Sequence, residues 1–367
     1  LTVTKRTHFD LLIMGAGIAG LSVAYAASKS GIKTAVIDRK YPGSGASGVP
    51  QALLNPATGR KAKKTWNAEK CLSYTTELLE EVQRKSGFQF YTNNGVIRPA
   101  LDSVMAENMF YSYQESGWPD GWVEWLDSKE LKLRFPGLNP GEGGLWIPVA
   151  GTVAFERFIT ALYRHLKDRG VSFFTGSEPS VSGSQPWLIS GFSRPFTAEN
   201  IVHATGESIS YNPHWKMVSI HRVKGQTLTV EFSKKLPFRC SLSSLGYIAQ
   251  GADPSGSVVL GSTYEHQYDH RGPDDKGASY LLKRLEKTVP DLQKNIRGYE
   301  GWSGIRVTTP DKKPFAGKHP ETDNLYVLGA LGSKGLMLGP YLGKLLSEYI
   351  LHGMEIPPLF TVDRLLS

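Results

Sequence analysis

The chain has 367 residues, 40% of them hydrophobic and 21% charged, with a formal net charge of +8. That composition excludes a disordered or low-complexity chain and fits one complex domain or two intertwined ones, while the basic balance permits a polyanionic partner without demanding one. Two cysteines, Cys71 and Cys240, stand too far apart in sequence to suggest a disulfide framework or a metal site, and no run reaches the roughly 18 apolar residues that span a bilayer.

The first residues, Leu1 to Phe9, place Lys5 and Arg6 before an apolar run and so imitate a signal peptide. Leu11 to Met14 is too short for such a core, however, and runs directly into a glycine turn, so a cytoplasmic chain is expected. Leu11-Leu-Ile-Met14, then Gly15-Ala16-Gly17-Ile18-Ala19-Gly20, then a helical run to Ser30, Gly31 and a second apolar run closing on Asp38 spell strand, turn, helix, strand. Gly15 permits the tight turn, Gly17 lets the backbone approach a pyrophosphate, and Gly20 lets helix and strand pack closely. Phosphates would meet unpaired N–H groups at the positive end of the helix, and Asp38 stands where a ribose hydroxyl could donate to it. The pattern predicts a dinucleotide-binding βαβ unit. Gly43-Ser44-Gly45-Ala46-Ser47-Gly48 matches the same glycine spacing, but Pro42 and Pro50 bracket it, so it is expected to be a loop.

That loop continues to Gln51 and Ala52 and exposes many backbone N–H groups beside the expected phosphates, which suggests a flavin rather than a nicotinamide. The basic cluster Arg60, Lys61, Lys63 and Lys64 reads either as the exposed start of a helix or as a rim of the cofactor mouth. Trp66 to Ser86 is helix-like, and Asn93-Asn94-Gly95 signals a hairpin-type turn between short strands. Trp118, Trp122 and Trp125 read as core. Gly143 to Pro148 reads as a strand, Val153 to Arg169 as a helix, and Val171 to Thr175 and Asn200 to Ala204 as strands of a parallel sheet. Ala204-Thr205-Gly206 would then lie at the crevice beyond the strands' carboxyl ends. Ser219 to Val223, Gln226 to Val230, Gly246 to Ala249 and Val258 to Leu260 predict an antiparallel sheet, followed by a helix over Ala278 to Leu292. Leu325 to Leu328, the turn Gly329 to Gly335 and Leu336 to His352 read as strand, turn and helix. This second helix start is either a plain cap or a source of positive potential beside the N1–C2=O2 edge of a reduced flavin.

Gly15 to Asp38, Gly45 to Gly48, Gly144 to Ala154, Ala204-Thr205-Gly206, Val223-Lys224-Gly225-Gln226, Tyr247-Ile248 before Leu260-Gly261, Gly304-Ile305-Arg306 and Gly332-Ser333-Lys334-Gly335 follow one another in order. Over nearly its full length the chain thus resembles the FAD-dependent amine oxidases of the D-amino-acid oxidase, glycine oxidase and sarcosine oxidase group. Asp311-Lys312-Lys313-Pro314 with Gly317, and Ala330 to Leu336, look most like the FAD domain of the bifunctional tRNA wobble-uridine enzymes, which oxidatively removes a carboxymethyl group. The resemblance is to that domain and not to its methyltransferase companion.

The resemblance implies an α/β (α+β overall) fold. In it a Rossmann-like FAD-binding domain (1–85, 145–215 and 300–367) carries an inserted antiparallel-sheet substrate domain (86–144 and 216–299). It implies FAD held by Gly15, Gly17, Ile18, Ala19, Gly20, Asp38, Arg39, Ser44, Ala46, Ser47 and Gly48, and since neither cysteine lies in a motif assignable to covalent flavin attachment the FAD is expected to be non-covalent. Further contacts are implied at Gln51, Ala52, Leu53, Ala204, Thr205, Gly206, Gly225, Arg306 and the run Gly332, Ser333, Lys334, Gly335 and Leu336. It implies a carboxylate-binding Arg306, with Lys334 at a second basic position where arginine is frequent, and Tyr247 lining the substrate pocket.

No nucleophile or metal constellation stands out, and a flavin enzyme needs none, because the cofactor carries the redox chemistry. The expected reaction is oxidation of the C–N bond of a glycine-like or D-amino acid, or an N-substituted glycine. Hydride passes to flavin N5, the resulting imine hydrolyses, and dioxygen or another acceptor takes the electrons. No membrane and no metal are expected to take part. The alternatives are the same chemistry on a tRNA wobble uridine and a non-catalytic flavin-binding protein.

Overall fold

The computed structural model describes residues 6–183 and 185–366; Lys5, half of the basic pair read above, lies outside them. The chain divides into two compact units, one formed by 1–48, 159–223 and 305–367 and the other by 49–158 and 224–304.

The first unit is built on a sheet whose parallel strands run in the order Ser172–Thr175, Thr34–Asp38, His8–Met14, Phe196–His203. Phe196–His203 then serves two neighbours on its far edge. Its first half pairs antiparallel with Trp187–Ser190, and its second half pairs parallel with Leu325–Gly329. In register, Met14 faces Ile37 on one side and His203 on the other, and His203 faces Val327. The carboxyl ends of four parallel strands therefore finish together, and the turns that leave them meet at one edge.

Helix Ile18–Lys29 is buried along most of its length because it is covered by a second helix, Gly335–His352. The contact is made by glycines at i, i+4 and i+8. A Cβ at Gly335 would stand 3.3 Å from Ile18 Cγ2, one at Gly339 3.4 Å from Ile18 Cγ1, and one at Gly343 2.7 Å from Ser22 Cβ. This bare stripe lets the two helices approach closely. Their first residues, Ile18 and Gly335, consequently touch.

The second unit holds a twisted sheet in the order Ile296–Thr308, His221–Phe232, Val258–Gly261, Tyr247–Ala249, Ser241–Ser243, Val96–Pro99, Gly144–Ile147, Glu124–Leu126. Helix Asp275–Glu286 buries Ala278, Leu281 and Leu285 in the same apolar cluster as Leu228, Ile248 and Leu260 from that sheet. Three helix starts in this unit are capped by acids: Asp102 accepts from Met105 N–H, Asp127 forms a capping box with Glu130, and Asp274 accepts from Gly277 N–H.

Several elements depart from the sequence reading. The sheet of the second unit is mixed, since Ser241–Leu242 run parallel to Val96–Ile97. His221–Phe232 is one strand, where two were expected. Lys224 at its centre is only 1% exposed and donates to Asp274 Oδ2 at 2.8 Å, so its charge is paired inside the structure and no turn is needed to expose it. Asn93–Gly95 is not a hairpin: Tyr91–Thr92 pairs with Thr152–Val153, whereas Val96–Pro99 belongs to the large sheet. Gly95 sits at φ +72 with the Trp146 ring where a Cβ would be, so the turn carries the chain from one sheet to the next. Arg60 to Lys64 form no helix start; Ala57–Thr58 and Lys63–Lys64 make a small two-stranded ribbon. Residues 49–85 and 145–158, grouped by sequence with the first unit, pack into the second, because Gly151–Ala154 pairs on one side with Gln51–Leu54 and on the other with Tyr91–Thr92.

Candidate active site

The glycine turn is over-determined. Gly15 lies at φ +107, its N–H donates to Ile37 O at 2.7 Å, and a Cβ there would stand 2.4 Å from Ala204 O and 3.1 Å from Thr205 Cα. Any side chain would thus drive apart the two turns at the ends of strands His8–Met14 and Phe196–His203. At Gly20 a Cβ would stand 1.9 Å from Gly15 O, so helix and turn meet only through a bare backbone.

The loop after the second strand closes on the same place. Gly43 N–H donates to Ala16 O at 3.0 Å, and Ser47 Oγ accepts from Ile18 N–H at 3.0 Å. A Cβ on Gly17 would lie 3.1 Å from Ser47 Oγ. The loop contains only a short 3-10 turn at Ala46–Gly48 and opens no helix, as its prolines implied.

Asp38 does something the spacing did not announce. Its Oδ2 accepts from Ala16 N–H at 2.8 Å and its Oδ1 from Lys40 N–H at 2.9 Å, so the carboxylate locks the glycine turn with one lone pair on each oxygen. Arg39 turns to Ser208 Oγ at 2.8 Å and stands 3.8 Å from Glu178, at an exposed position. Ser44 donates its N–H to Tyr41 O.

Thr205 supplies the test of whether a ligand belongs here. Its Oγ1 is buried and has no hydrogen-bond partner, at the turn that abuts Gly15. A buried hydroxyl left unpaired is costly, so an acceptor-rich group in the crevice would satisfy it. A helix N-terminus, a Cβ-free approach and an unpaired hydroxyl together suit the pyrophosphate of a dinucleotide.

A second positive helix end faces this region. The 3-10 turn Gly332–Lys334 leads into helix Gly335–His352, whose start has no side-chain cap. A Cβ on Gly332 would stand 3.8 Å from Thr308, so the turn rests on the end of strand Ile296–Thr308. Arg306 and Thr308 lie two residues apart on that strand and project from the same face. Lys334 is half-buried; burial first, and then the charge of Lys312, hold its ammonium below the usual lysine range. Leu336 is buried in the first turn of the helix.

The remaining sequence candidates stand in the second unit. Tyr247 donates its hydroxyl to Gln51 O at 3.2 Å, and its ring occupies the space where a Cβ on Gly261 would be. Gln51 is 1% exposed; its amide nitrogen donates to Ser257 O at 2.8 Å, while its Oε1 is buried without a donor. Ala52 and Leu53 follow on the same short strand, and Gly225 is buried mid-strand beside Lys224. The structure therefore brings together Gly15, Gly17, Ile18, Gly20, Asp38, Ser47, Ala204, Thr205 and Gly335 in one unit and Gln51 with Tyr247 in the other. Sequence reasoning missed the Gly335, Gly339, Gly343 stripe, although its four-residue spacing was visible.

The protein-family model described as FAD dependent oxidoreductase matches residues 10–349. The chain belongs to that family. It is therefore an FAD-dependent oxidoreductase, and the crevice just described is the one whose residues fit FAD. Among curated relatives, the tRNA 5-methylaminomethyl-2-thiouridine biosynthesis bifunctional protein of Marinobacter nauticus is 26% identical over 356 residues, 93% of this chain and 55% of that protein. The glycine oxidase of Geobacillus kaustophilus is 24% identical over 363 residues, 94% of this chain and 93% of that one. The chain thus spans about half the length of the first and nearly all of the second. The crystal structure of glycine oxidase from Geobacillus kaustophilus superposes with a TM-score of 0.84 at 23% identity, covering 96% of this chain and 98% of that one. That of iminodiacetate oxidase from Chelativorans sp. BNC1 does so with a TM-score of 0.79 at 21% identity, covering 97% and 98%. Both likenesses show the fold. Among the described residues no helix is long and apolar enough to cross a membrane, and no group of three or more His, Cys, Asp or Glu could hold a metal ion.

Proposed function

We propose that the substrate is a small amine bearing a carboxylate, a glycine-like or D-amino acid or an N-substituted glycine, oxidised at its C–N bond. FAD held at the glycine turn would supply the two-electron oxidant for that bond, dioxygen or another acceptor would take the electrons onward, and water would hydrolyse the imine product. The observation that carries this reading is the convergence, within one unit, of two helix starts that touch at Ile18 and Gly335, with the strand bearing Arg306 reaching the second of them through Thr308.

The chain's own residues have distinct parts in it. The turn Gly15–Gly20, with Ser47, Thr205 and Asp38 around it, would hold the pyrophosphate and ribose. The start of helix Gly335–His352, which carries no side-chain cap, would supply positive potential beside the bound ring. Arg306 would grip the substrate carboxylate with a two-pronged fork, and Lys334 would add a point charge. FAD is held without a covalent bond in this reading. Burial pushes the thiols of Cys71 and Cys240 up to about 12, which leaves neither as a ready nucleophile. A cytoplasmic location belongs to the same reading.

A second substrate, the modified wobble uridine of tRNA, is supported by the relative that makes 5-methylaminomethyl-2-thiouridine and by the excess of 42 Lys and Arg over 34 Asp and Glu. Anaerobic mixing separates the two. Bleaching of the flavin absorbance by free glycine, N-methylglycine or D-amino acids is the expected result. Bleaching only by modified tRNA, with affinity falling steeply in salt, would move the assignment to the second substrate. A flavin that no amine bleaches would end the oxidase reading.

A further inference from the structure

We propose that Arg364 is a positioning residue for Arg306: by clamping the turn Thr309–Lys313 it fixes the end of the strand from which Arg306 reaches the substrate carboxylate. This inference deepens the reading above and rests on its assignment of that carboxylate to Arg306.

Arg364 lies in the short 3-10 turn Asp363–Leu365, beyond helix Gly335–His352. The segment that carries it is anchored by apolar burial. Phe360 and Val362 are 1% and 2% exposed, and Val362 shares a core cluster with Phe315, Leu325 and Val327. Thr361, between them, supplies a carbonyl that accepts from Arg364 Nη1 at 3.0 Å. One edge of the guanidinium is therefore tied to its own segment.

The rest of it goes to a single turn. Nε donates to Asp311 Oδ2 at 3.1 Å, Nη2 lies 3.5 Å from Asp311 Oδ1, and Nη2 also donates to Lys313 O at 3.0 Å. A planar fork set across both oxygens of a carboxylate fixes orientation as well as distance, which an ammonium cannot do. Asp311 in its turn closes the loop from inside. Its Oδ1 accepts from the Thr309 hydroxyl at 2.6 Å and from Lys313 N–H at 3.2 Å, while Lys312 N–H donates to Thr309 O at 3.0 Å. The Arg364 side chain is only 15% exposed, so the pair is partly withdrawn from water and is screened less than a surface contact.

Thr309, itself buried, joins this turn to the site. It directly follows Thr308, the last residue of the strand bearing Arg306. The place of a Cβ on Gly332 lies 3.8 Å from Thr308 Cβ and 3.9 Å from Val307 O, so the strand end rests on the turn Gly332–Lys334 that opens helix Gly335–His352. Arg306 stands two residues before Thr308 and three before Thr309, and its backbone moves with theirs. A two-pronged grip on a carboxylate tolerates little displacement, since an error near 1 Å transmitted from a remote substitution can cost about a hundredfold. The clamp at Arg364 holds that displacement down.

The test uses the FAD-loaded protein and two ligands: acetate, read by perturbation of the flavin spectrum, and N-methylglycine under anaerobic conditions, read by bleaching. Arg364→Ala is expected to weaken acetate binding and to raise the half-saturating N-methylglycine concentration about tenfold, with the rate of flavin reduction at saturation within about twofold of the parent. Arg364→Lys keeps the charge and loses the fork, so it should recover only a minor part of that loss. Placed in an Asp311→Asn background, Arg364→Ala should add less than about twofold, because the two residues act through one contact. Val362→Ala loosens the same segment through its apolar anchor. It should lower the unfolding midpoint at least as far as Arg364→Ala does, yet leave acetate affinity unchanged. Unaltered acetate affinity in Arg364→Ala, fully additive losses with Asp311→Asn, or an equal loss in Val362→Ala would overturn the proposal. Acetate that leaves the flavin of the parent protein unperturbed would remove the Arg306 reading itself, and the clamp with it. If acetate binds but no amine bleaches the flavin, the oxidase reading falls, and the acetate titrations still decide the clamp.

Discussion

Gly343→Ala offers the sharpest test of the packing that sets the site. A Cβ built there meets Ser22 Cβ at 2.7 Å, Ser22 C at 2.8 Å and Val23 N at 2.9 Å, so two of the three obstacles are backbone. Ser22 cannot swing aside freely, because its hydroxyl donates to Ile18 O at 2.6 Å and the residue is fully buried. The two helices must therefore move apart by roughly 0.7 Å, an overpacking cost of about 1–3 kcal/mol in an interior packed like a crystal. Alanine's higher helix propensity returns about 1 kcal/mol, leaving a net loss of up to about 2 kcal/mol. Gly339→Ala is the control on the same helix, one turn earlier. Its Cβ would lie 3.4 Å from Ile18 Cγ1 and 3.4 Å from Leu331 Cδ1, both side-chain atoms at ordinary contact distance and neither of them backbone. That substitution is expected to be neutral or to stabilise by up to about 1 kcal/mol. Guanidinium unfolding of the FAD-loaded protein, followed by circular dichroism, gives both values. FAD titration should show weaker binding for Gly343→Ala alone, since displacing the helix separates Gly335 from Ile18. Two substitutions with the same sign and size would refute the claim that this stripe holds the helix starts together.

Two further expectations follow from the same unit. His203 is buried, with its Nδ1 accepting from Trp215 Nε1–H at 2.7 Å, and burial first, then the charges of His214 and His319, lower its pKa to about 4 from 6.5. The unfolded chain therefore takes up a proton that the folded chain refuses, so stability present above pH 6.5 should decline as pH falls toward about 4. His203→Gln should flatten that limb in unfolding measured across pH, and an unchanged slope would count against it. Ser47→Ala removes the acceptor for Ile18 N–H and should cost about 0.5–2 kcal/mol of stability while weakening FAD binding. A variant indistinguishable from the parent in both would show that the loop contact is idle.

Much of the first unit was legible in the residues because its information is local. Strand, glycine turn, helix and strand occupy consecutive positions from Leu11 to Asp38, and the prolines at 42 and 50 sufficed to make the second glycine run a loop. Arg306 and Lys334 were reached only through resemblance, since a lone arginine or lysine carries no period. The second unit resisted more. Periodicity sees the two faces of a strand but not its neighbour, so it missed the parallel pairing of Ser241–Leu242 with Val96–Ile97. It also split one strand at Lys224, because the partners that make that charge tolerable, Asp274 and Glu265, lie some forty to fifty residues away.

Sequence by itself determined which backbone stretches could bare their N–H groups, because that depends on where a Cβ is missing and where a helix can begin. Tertiary structure alone decided what those stretches meet: Ser47 on Ile18, Ala204 on Gly15, Gly343 on Ser22, and a carboxylate at Asp38 turned inward to lock the turn. The physical reason is range. Turn chemistry and helix starts are settled within a few residues, whereas a hydrogen bond or a steric limit belongs to two positions at once, and only the folded chain says which two.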